Sequence, residues 1–154
     1  MRRRASWREK LENSGHAKVV PIPPGMRKRF GSGTMLIPKP LDVDALIRRV
    51  PQGKLITTDQ IRAALARAAG ASVTCPLVTG MFIRIVAEAA EEDALQGKPF
   101  ITPYWRVVRA GGWLLTKIPG GAEAQGERLR AEGHAVECGR KPRVRMAGGL
   151  LAPL

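Results

Sequence analysis

Residues 57–93 read TTDQIRAALARAAGASVTCPLVTGMFIRIVAEAAEED, and the fold turns on this stretch. Thr57 with Gln60 three residues later has the form of a capping box. Asp59 falls in the first turn, where a carboxylate meets the positive end of the helix macrodipole. Ile61, Ala64, Leu65 and Ala68 recur at helical spacing until Gly70 stops the helix. A break of a few residues leads to Cys75-Pro76, with proline where a first helical turn accepts it. The apolar run through Met81, Phe82, Ile85, Val86 and Ala89 then ends in Glu91-Glu92-Asp93. A capped helix, a short Gly-containing turn and a second helix make a helix-turn-helix candidate. Two packed helices with no nucleic-acid role would carry the same pattern.

Downstream, Gly97 and Pro99 break the chain before Tyr104-Trp105-Arg106-Val107-Val108-Arg109, a β-prone run. Ala110-Gly111-Gly112 turns it, and Trp113-Leu114-Leu115 is placed to return as a partner strand, which is the form a wing takes. Gly120-Gly121 opens a last helix with Leu129 on its inner face, and Gly133 closes it. Upstream, Asp42 is read as the cap of a short helix with Val43, Leu46 and Ile47 on one face, ended by Pro51-Gln52-Gly53. Residues 14–40 contain Pro21, Pro23, Pro24, Gly25, Gly31, Gly33, Pro38 and Pro40, a density of breakers that predicts an extended arm. The expected architecture is a single, mainly α domain with a small β-hairpin, a winged helix-turn-helix. It comprises a basic Pro/Gly-rich arm (1–40), the domain itself (41–133) and a basic C-terminal tail (134–154).

The 154 residues include 26 Lys and Arg against 13 Asp and Glu, a formal net charge of +13. The excess is uneven. Residues 1–40 carry a surplus of eight positive charges, 41–133 only two, and 134–154 three. Arg2, Arg3, Arg4, Arg8, Arg27, Lys28 and Arg29 dominate one flank, and Arg140, Lys141, Arg143 and Arg145 the other. Such flanks are the footprint of a polyanion partner, most often nucleic acid; the plainer reading is a solvated basic tail. No apolar run approaches the roughly 20 residues of a membrane span, so no membrane association is expected. The basic N-terminus lacks an apolar core, and two cysteines cannot build a disulfide framework, which points to the cytoplasm. His16 and His134 stand alone, so neither a metal site nor any other cofactor is expected.

The order of segments resembles the DNA-binding domain of the methylated-DNA–protein cysteine methyltransferases. Val50-Pro51-Gln52-Gly53-Lys54 followed by Thr57 and Ile61 looks like the opening of that domain. Pro103-Tyr104-Trp105-Arg106-Val107-Val108 stands where the family carries Pro-Cys-His-Arg-Val-Val, and Gly120-Gly121 and Glu132-Gly133 match its C-terminal helix. The resemblance covers residues 50–133. It implies a winged helix-turn-helix that binds double-stranded DNA through the minor groove and turns an alkylated guanine into a pocket.

Departures from the family pattern alter the implied chemistry. Alkyl transfer needs a thiolate assisted by histidine; Tyr104 and Trp105 occupy those positions. A phenol with a pKa of about 10 is a poor nucleophile at neutral pH, and an indole N–H cannot accept a proton. The resemblance therefore runs toward the alkyltransferase-like branch, which lacks the cysteine, binds lesions and signals to repair proteins without removing the alkyl group. The family's intercalating arginine lies in a stretch that here reads Leu77-Val78-Thr79-Gly80-Met81; Arg84 follows one turn later. Thr58 replaces a DNA-contacting tyrosine, and Ile118 a pocket tyrosine.

The expected function is non-catalytic binding of duplex DNA, lesion-bearing or plain, by a monomer. Thr57, Thr58, Leu77, Val78, Thr79, Gly80 and Arg84 would meet the groove, with Arg27, Lys28 and Arg29 on phosphates. Pro103, Tyr104, Trp105, Ile118 and Gly120 would line the nucleobase pocket. Tyr104 and Trp105 have an equal claim as core filling the place of a lost active site. Arg106 is read as structural, and Glu132 as a helix-end carboxylate whose relay has lost its centre. Two alternatives stay open: a diverged alkyltransferase using Cys75 at a helix N-terminus, and an RNA- or protein-binding module on the same fold.

Overall fold

The capping box at Thr57 is formed. Its hydroxyl accepts from the Gln60 amide at 3.1 Å, and the Gln60 side chain accepts from the Thr57 amide at 3.0 Å. This starts the helix Thr58–Ala69 (α4), which ends at Gly70 in the left-handed conformation at φ 68°. After Val73–Thr74 (β4), Cys75 precedes the 20-residue helix Pro76–Leu95 (α5), which runs beyond the acidic stop expected at Glu91–Asp93. In this computed structural model the described residues are 4–13, 15–146 and 151; Arg2 and Arg3 of the basic flank lie outside them.

The remaining elements, in chain order, are α1 (Trp7–Glu12), β1 (Lys18–Pro21), α2 (Arg27–Phe30), β2 (Thr34–Ile37), α3 (Pro40–Arg48) and β3 (Ile56–Thr57). Beyond α5 come β5 (Val107–Val108), α6 (Gly121–Ala131), β6 (Val136–Glu137) and β7 (Arg143–Val144). Lys39 holds the N-cap position of α3 with Pro40 behind it, so Asp42 sits in the first turn rather than at the cap. No helix among the described residues is long and apolar enough to cross a membrane.

α5 is the shared wall of two apolar clusters. Ile83, Val86 and Ala89 pack with Leu11, Val43, Ile47, Ile61 and Leu65 from α1, α3 and α4. Ala87 and Ala90 join Tyr104, Trp105, Val108, Leu114 and Leu129 on the other flank. Small alanines on that second flank let the 104–108 segment approach the helix closely.

The segment before residue 41 is not an extended arm. β1 and β2 pair antiparallel, Val19 opposite Leu36 and Val20 opposite Met35, and β2 continues parallel to β4. Pro21 is tolerated because β1 is an edge strand. Ile22 and Met35 are buried with Cys75 beneath this sheet. α1 docks on α5: the backbone N–H groups of Trp7 and Arg8 both donate to the Glu92 carboxylate at 2.9 Å. Arg8, one of the cations of the basic flank, is ion-paired with buried Asp93.

The hairpin expected across 104–115 is also absent. Tyr104–Arg106 forms a 3₁₀ turn, and β5 pairs in parallel with β3, Ile56 opposite Val107. The reason is Gln125, 1% exposed on α6. Its amide N–H₂ donates to the carbonyls of Trp105 (3.1 Å) and Val107 (2.6 Å), and its carbonyl accepts from Leu115 N–H at 2.7 Å. One side-chain amide thus takes the groups that a returning strand would have used. The tail after 133 is likewise folded at its start: β6 and β7 pair antiparallel, and Val144 is fully buried.

Leu11→Ala distinguishes a packed N-terminal helix from an arm. Leu11 is 1% exposed, so the substitution should cost about 2–5 kcal/mol in urea unfolding. A loss within about 0.5 kcal/mol, as for a solvated side chain, would contradict the packing.

Candidate nucleic-acid interface

A cavity of about 590 Å³ opens where the N-terminal ends of α4 and α5 meet the 109–118 segment. Among the described residues its walls carry four cations, Arg62, Arg84, Arg109 and Lys117, and no carboxylate. Arg62 is paired with exposed Asp59. Arg84 lies over the Trp7 ring at 5.5 Å, and no ion pair engages Arg84, Arg109 or Lys117 among the described residues. Leu77 and Met81, one turn apart on α5, stand at the rim 73% and 62% exposed. Cationic walls with an apolar rim suit a ligand that presents both charge and flat apolar surface.

Of the residues expected at the groove, Thr58, Leu77, Gly80 and Arg84 line this cavity. Thr79 borders it but is fully buried, with its hydroxyl given to the Cys75 carbonyl at 2.7 Å, so it shapes the wall and offers no donor. Thr57 is spent on the helix cap. Val78 packs beneath the β1–β2 sheet with Ile22 and Met35. Arg27, Lys28 and Arg29 are exposed on α2, in the β1–β2 connection, away from the cavity walls.

The expected nucleobase pocket divides. Ile118 is on the cavity wall; Pro103, Tyr104, Trp105 and Gly120 are not. Tyr104 and Trp105 are 3% and 9% exposed and meet edge to face, ring centroids 5.4 Å apart. Tyr104 Oη donates to Glu91 Oε1 at 2.7 Å, and Arg128 Nη2 donates to the same oxygen at 2.8 Å. The Arg128 guanidinium lies 4.3 Å from the Trp105 ring centroid. Burial, followed by the bond to Glu91, pushes the Tyr104 phenol well above its ordinary range, so it stays protonated at neutral pH. These two rings are core.

Glu132 is more than a helix-end carboxylate. Trp105 Nε1 donates to Oε2 at 2.6 Å, Arg106 Nε and Nη2 donate at 2.9 and 3.0 Å, and the Gly53 amide reaches Oε1 at 3.4 Å. Arg106 also donates to the Val50 carbonyl at 2.7 Å. Burial is the largest single influence on Glu132 and opposes its ionisation, but the donors of Arg106 and Trp105 together outweigh it. Its carboxyl is held below the ordinary range. The connection expected to have lost its centre is kept, with an indole N–H that fixes geometry and cannot pass a proton.

Cys75 is buried with Ile22 and Met35 and does not line the cavity. The residues that sequence reasoning missed are Gln125, the Glu91–Arg128 pair, and Arg62, Arg109 and Lys117. Gln125 was visible as a polar residue four before Leu129, hence on the inner face of its helix. Arg109 and Lys117 gave no signal, because nothing in their spacing shows that the 110–116 loop folds back toward α5.

The α-rich body with its small sheets has a counterpart among solved structures. The S. pombe protein Atl1, solved in complex with damaged DNA containing O6-carboxymethylguanine, shares the arrangement at a TM-score of 0.50. The match covers 74% of this chain and 94% of that one, at 19% identity. No protein-family model and no curated protein sequence matches the chain.

Glu132→Gln tests the hub. Removing the charge from this part-buried network should cost about 1–3 kcal/mol. A carboxyl held below its ordinary value of 4.5 stabilises the fold above that value and loses the contribution as pH falls through the lowered one. Wild-type melting temperature should therefore drop below about pH 4.5, and part of that drop should vanish in Glu132→Gln. Identical acid profiles would mean that Glu132 is solvated.

Proposed function

We propose that this protein binds duplex DNA and recognises damaged or alkylated bases without chemically altering them. The observation that carries the reading is the cavity at the open ends of α4 and α5: cationic walls, no carboxylate among its described lining residues, an exposed apolar rim and about 590 Å³ of space. Volumes of this order hold small planar ligands. The likeness in fold to a protein solved with damaged DNA supports the choice of partner.

Arg84, Arg109 and Lys117 would take phosphates on either side of the recognised base, while Leu77 and Met81 would press on the base stack. Apolar side chains at such positions unstack a base step and bend the duplex. A damaged or mispaired base costs less to unstack, which is a source of preference that needs no nucleophile. The buried, hydrogen-bonded Tyr104 and the buried Cys75 support the absence of transfer chemistry.

The test pairs binding with mass. Fluorescence anisotropy on duplexes with and without O6-carboxymethylguanine should show tighter binding to the damaged one. The intact-protein mass should be unchanged after incubation. Leu77→Ser with Met81→Ser should erase most of the preference, and Arg84→Ala should weaken both duplexes. Equal wild-type affinities would end the lesion-recognition reading, and a stoichiometric mass gain on Cys75 would restore the alkyltransferase alternative.

A further inference from the structure

The C-terminal ribbon is built onto the cavity wall. The Arg109 N–H donates to the Trp113 carbonyl at 2.8 Å, the Leu114 N–H donates to the Pro142 carbonyl at 3.0 Å, and Trp113 bridges to Arg143. The Arg145 N–H donates to the Ala135 carbonyl at 2.8 Å, and Val144 is buried. Gly112 has φ 90°, and a Cβ there would meet the Val144 carbonyl at 2.4 Å, so ribbon and loop are in backbone contact. What begins as a basic tail in sequence is therefore a fixed extension of the 109–118 segment.

Its outer face is cationic. Arg140, Lys141, Arg143 and Arg145 are exposed, and Glu137 is the acidic residue among described positions 134–146. Glu137 reaches only Arg145, at 4.0 Å. The Arg143 guanidinium stands 5.2 Å from the Trp113 ring centroid, and its Nε donates to the Gly111 carbonyl at 2.8 Å. That bond orients the fork and leaves its terminal N–H groups without a protein acceptor among the described residues. The contrast with Arg8, Arg48, Arg106 and Arg128, each paired to a carboxylate, separates structural arginines from those left for a ligand.

We infer that the ribbon, through Trp113, Arg140, Lys141 and Arg143, holds the phosphate backbone of the duplex arm beyond the cavity. The inference rests on the proposed DNA binding at the cavity and extends it to a second contact zone. Arg109 lines the cavity and its N–H is bonded to the Trp113 carbonyl, so the ribbon adjoins the cavity wall. A fixed array of unpaired cations fits a polyphosphate, and Trp113, 38% exposed, adds an indole for the sugar–phosphate edge. Such contacts add affinity and salt sensitivity without reading sequence or damage.

The test uses the full chain and one damaged duplex with its undamaged counterpart, titrated over a range of salt. Arg140→Ser with Lys141→Ser, both exposed and in no ion pair among the described residues, should weaken both duplexes by roughly tenfold near physiological salt. The slope of log K against log salt should fall by about 2, since each phosphate no longer neutralised removes about 0.9. The ratio between duplexes should hold. Trp113→Leu should weaken both by a smaller factor, with circular dichroism confirming the fold. Unchanged affinity and slope in the double variant would overturn the ribbon contact while leaving the cavity reading intact. An effect of the double variant confined to a structured RNA competitor would overturn it in favour of an RNA surface. Failure of the wild type to bind either duplex would instead strike the proposed function itself.

Discussion

The Glu132 carboxylate is the interaction on which the site half of the molecule depends. It stands at the end of α6 and collects donors from Trp105, Arg106 and Gly53, while Arg106 carries the link on to Val50 at the end of α3. Three segments distant in sequence, 50–53, 105–106 and the end of α6, are thereby held at one point. A carboxylate taken out of water needs its lone pairs filled, and a bidentate guanidinium with an indole N–H does so. Gln125, two turns earlier on the same helix, does the same for backbone groups of Trp105, Val107 and Leu115. α6 thus fixes the 104–115 stretch by two polar side chains, beside the short β3–β5 pairing.

That arrangement decides where the opening lies. Tyr104 and Trp105 are drawn inward by Glu91 and Glu132 and packed between α5 and α6. The following segment returns along the N-terminal half of α5, leaving a gap between its cations and the first turns of α4 and α5. α5 is buried on two flanks through its middle, yet its first two turns carry Leu77 and Met81 into solvent. Leu95 is exposed at the far end of the helix as well, so what distinguishes Leu77 and Met81 is that they stand one turn apart on the rim of this gap.

The helix pair is legible in the sequence because every signal for it is local. The Thr57–Gln60 box, Gly70 and Cys75-Pro76 need only neighbours a few residues away, and each forms as its chemistry dictates. The folded state of residues 18–37 is hidden by their prolines and glycines, which weigh as breakers, although Val19-Val20 and Met35-Leu36-Ile37 are the apolar runs of a hairpin. Pro21 closes an edge strand, where its missing N–H costs nothing. The wing fails for a different reason. Its would-be strand has the right composition, but a glutamine some twenty residues away takes its carbonyls, and no window of local sequence contains that competition.

The candidate site is half legible for the same reason. Helical spacing assigns positions on α4 and α5 to a face, so Thr58, Leu77, Gly80 and Arg84 are reached, while Val78, a neighbour of Leu77, turns to the opposite side. The pocket around Tyr104 follows from position in a motif, and a motif records order along the chain without recording what fills the volume. A phenol and an indole are bulky, and a close-packed interior cannot leave them idle. The rings find partners in Glu91 and Glu132, and the space that remains is bounded by Ile118 and by cations from a loop the motif does not include. Under the proposed function, discrimination then rests on how readily a base leaves its stack against Leu77 and Met81. Such a mechanism needs stiffness around the cavity more than any reactive atom, and the Glu132 and Gln125 networks supply that stiffness.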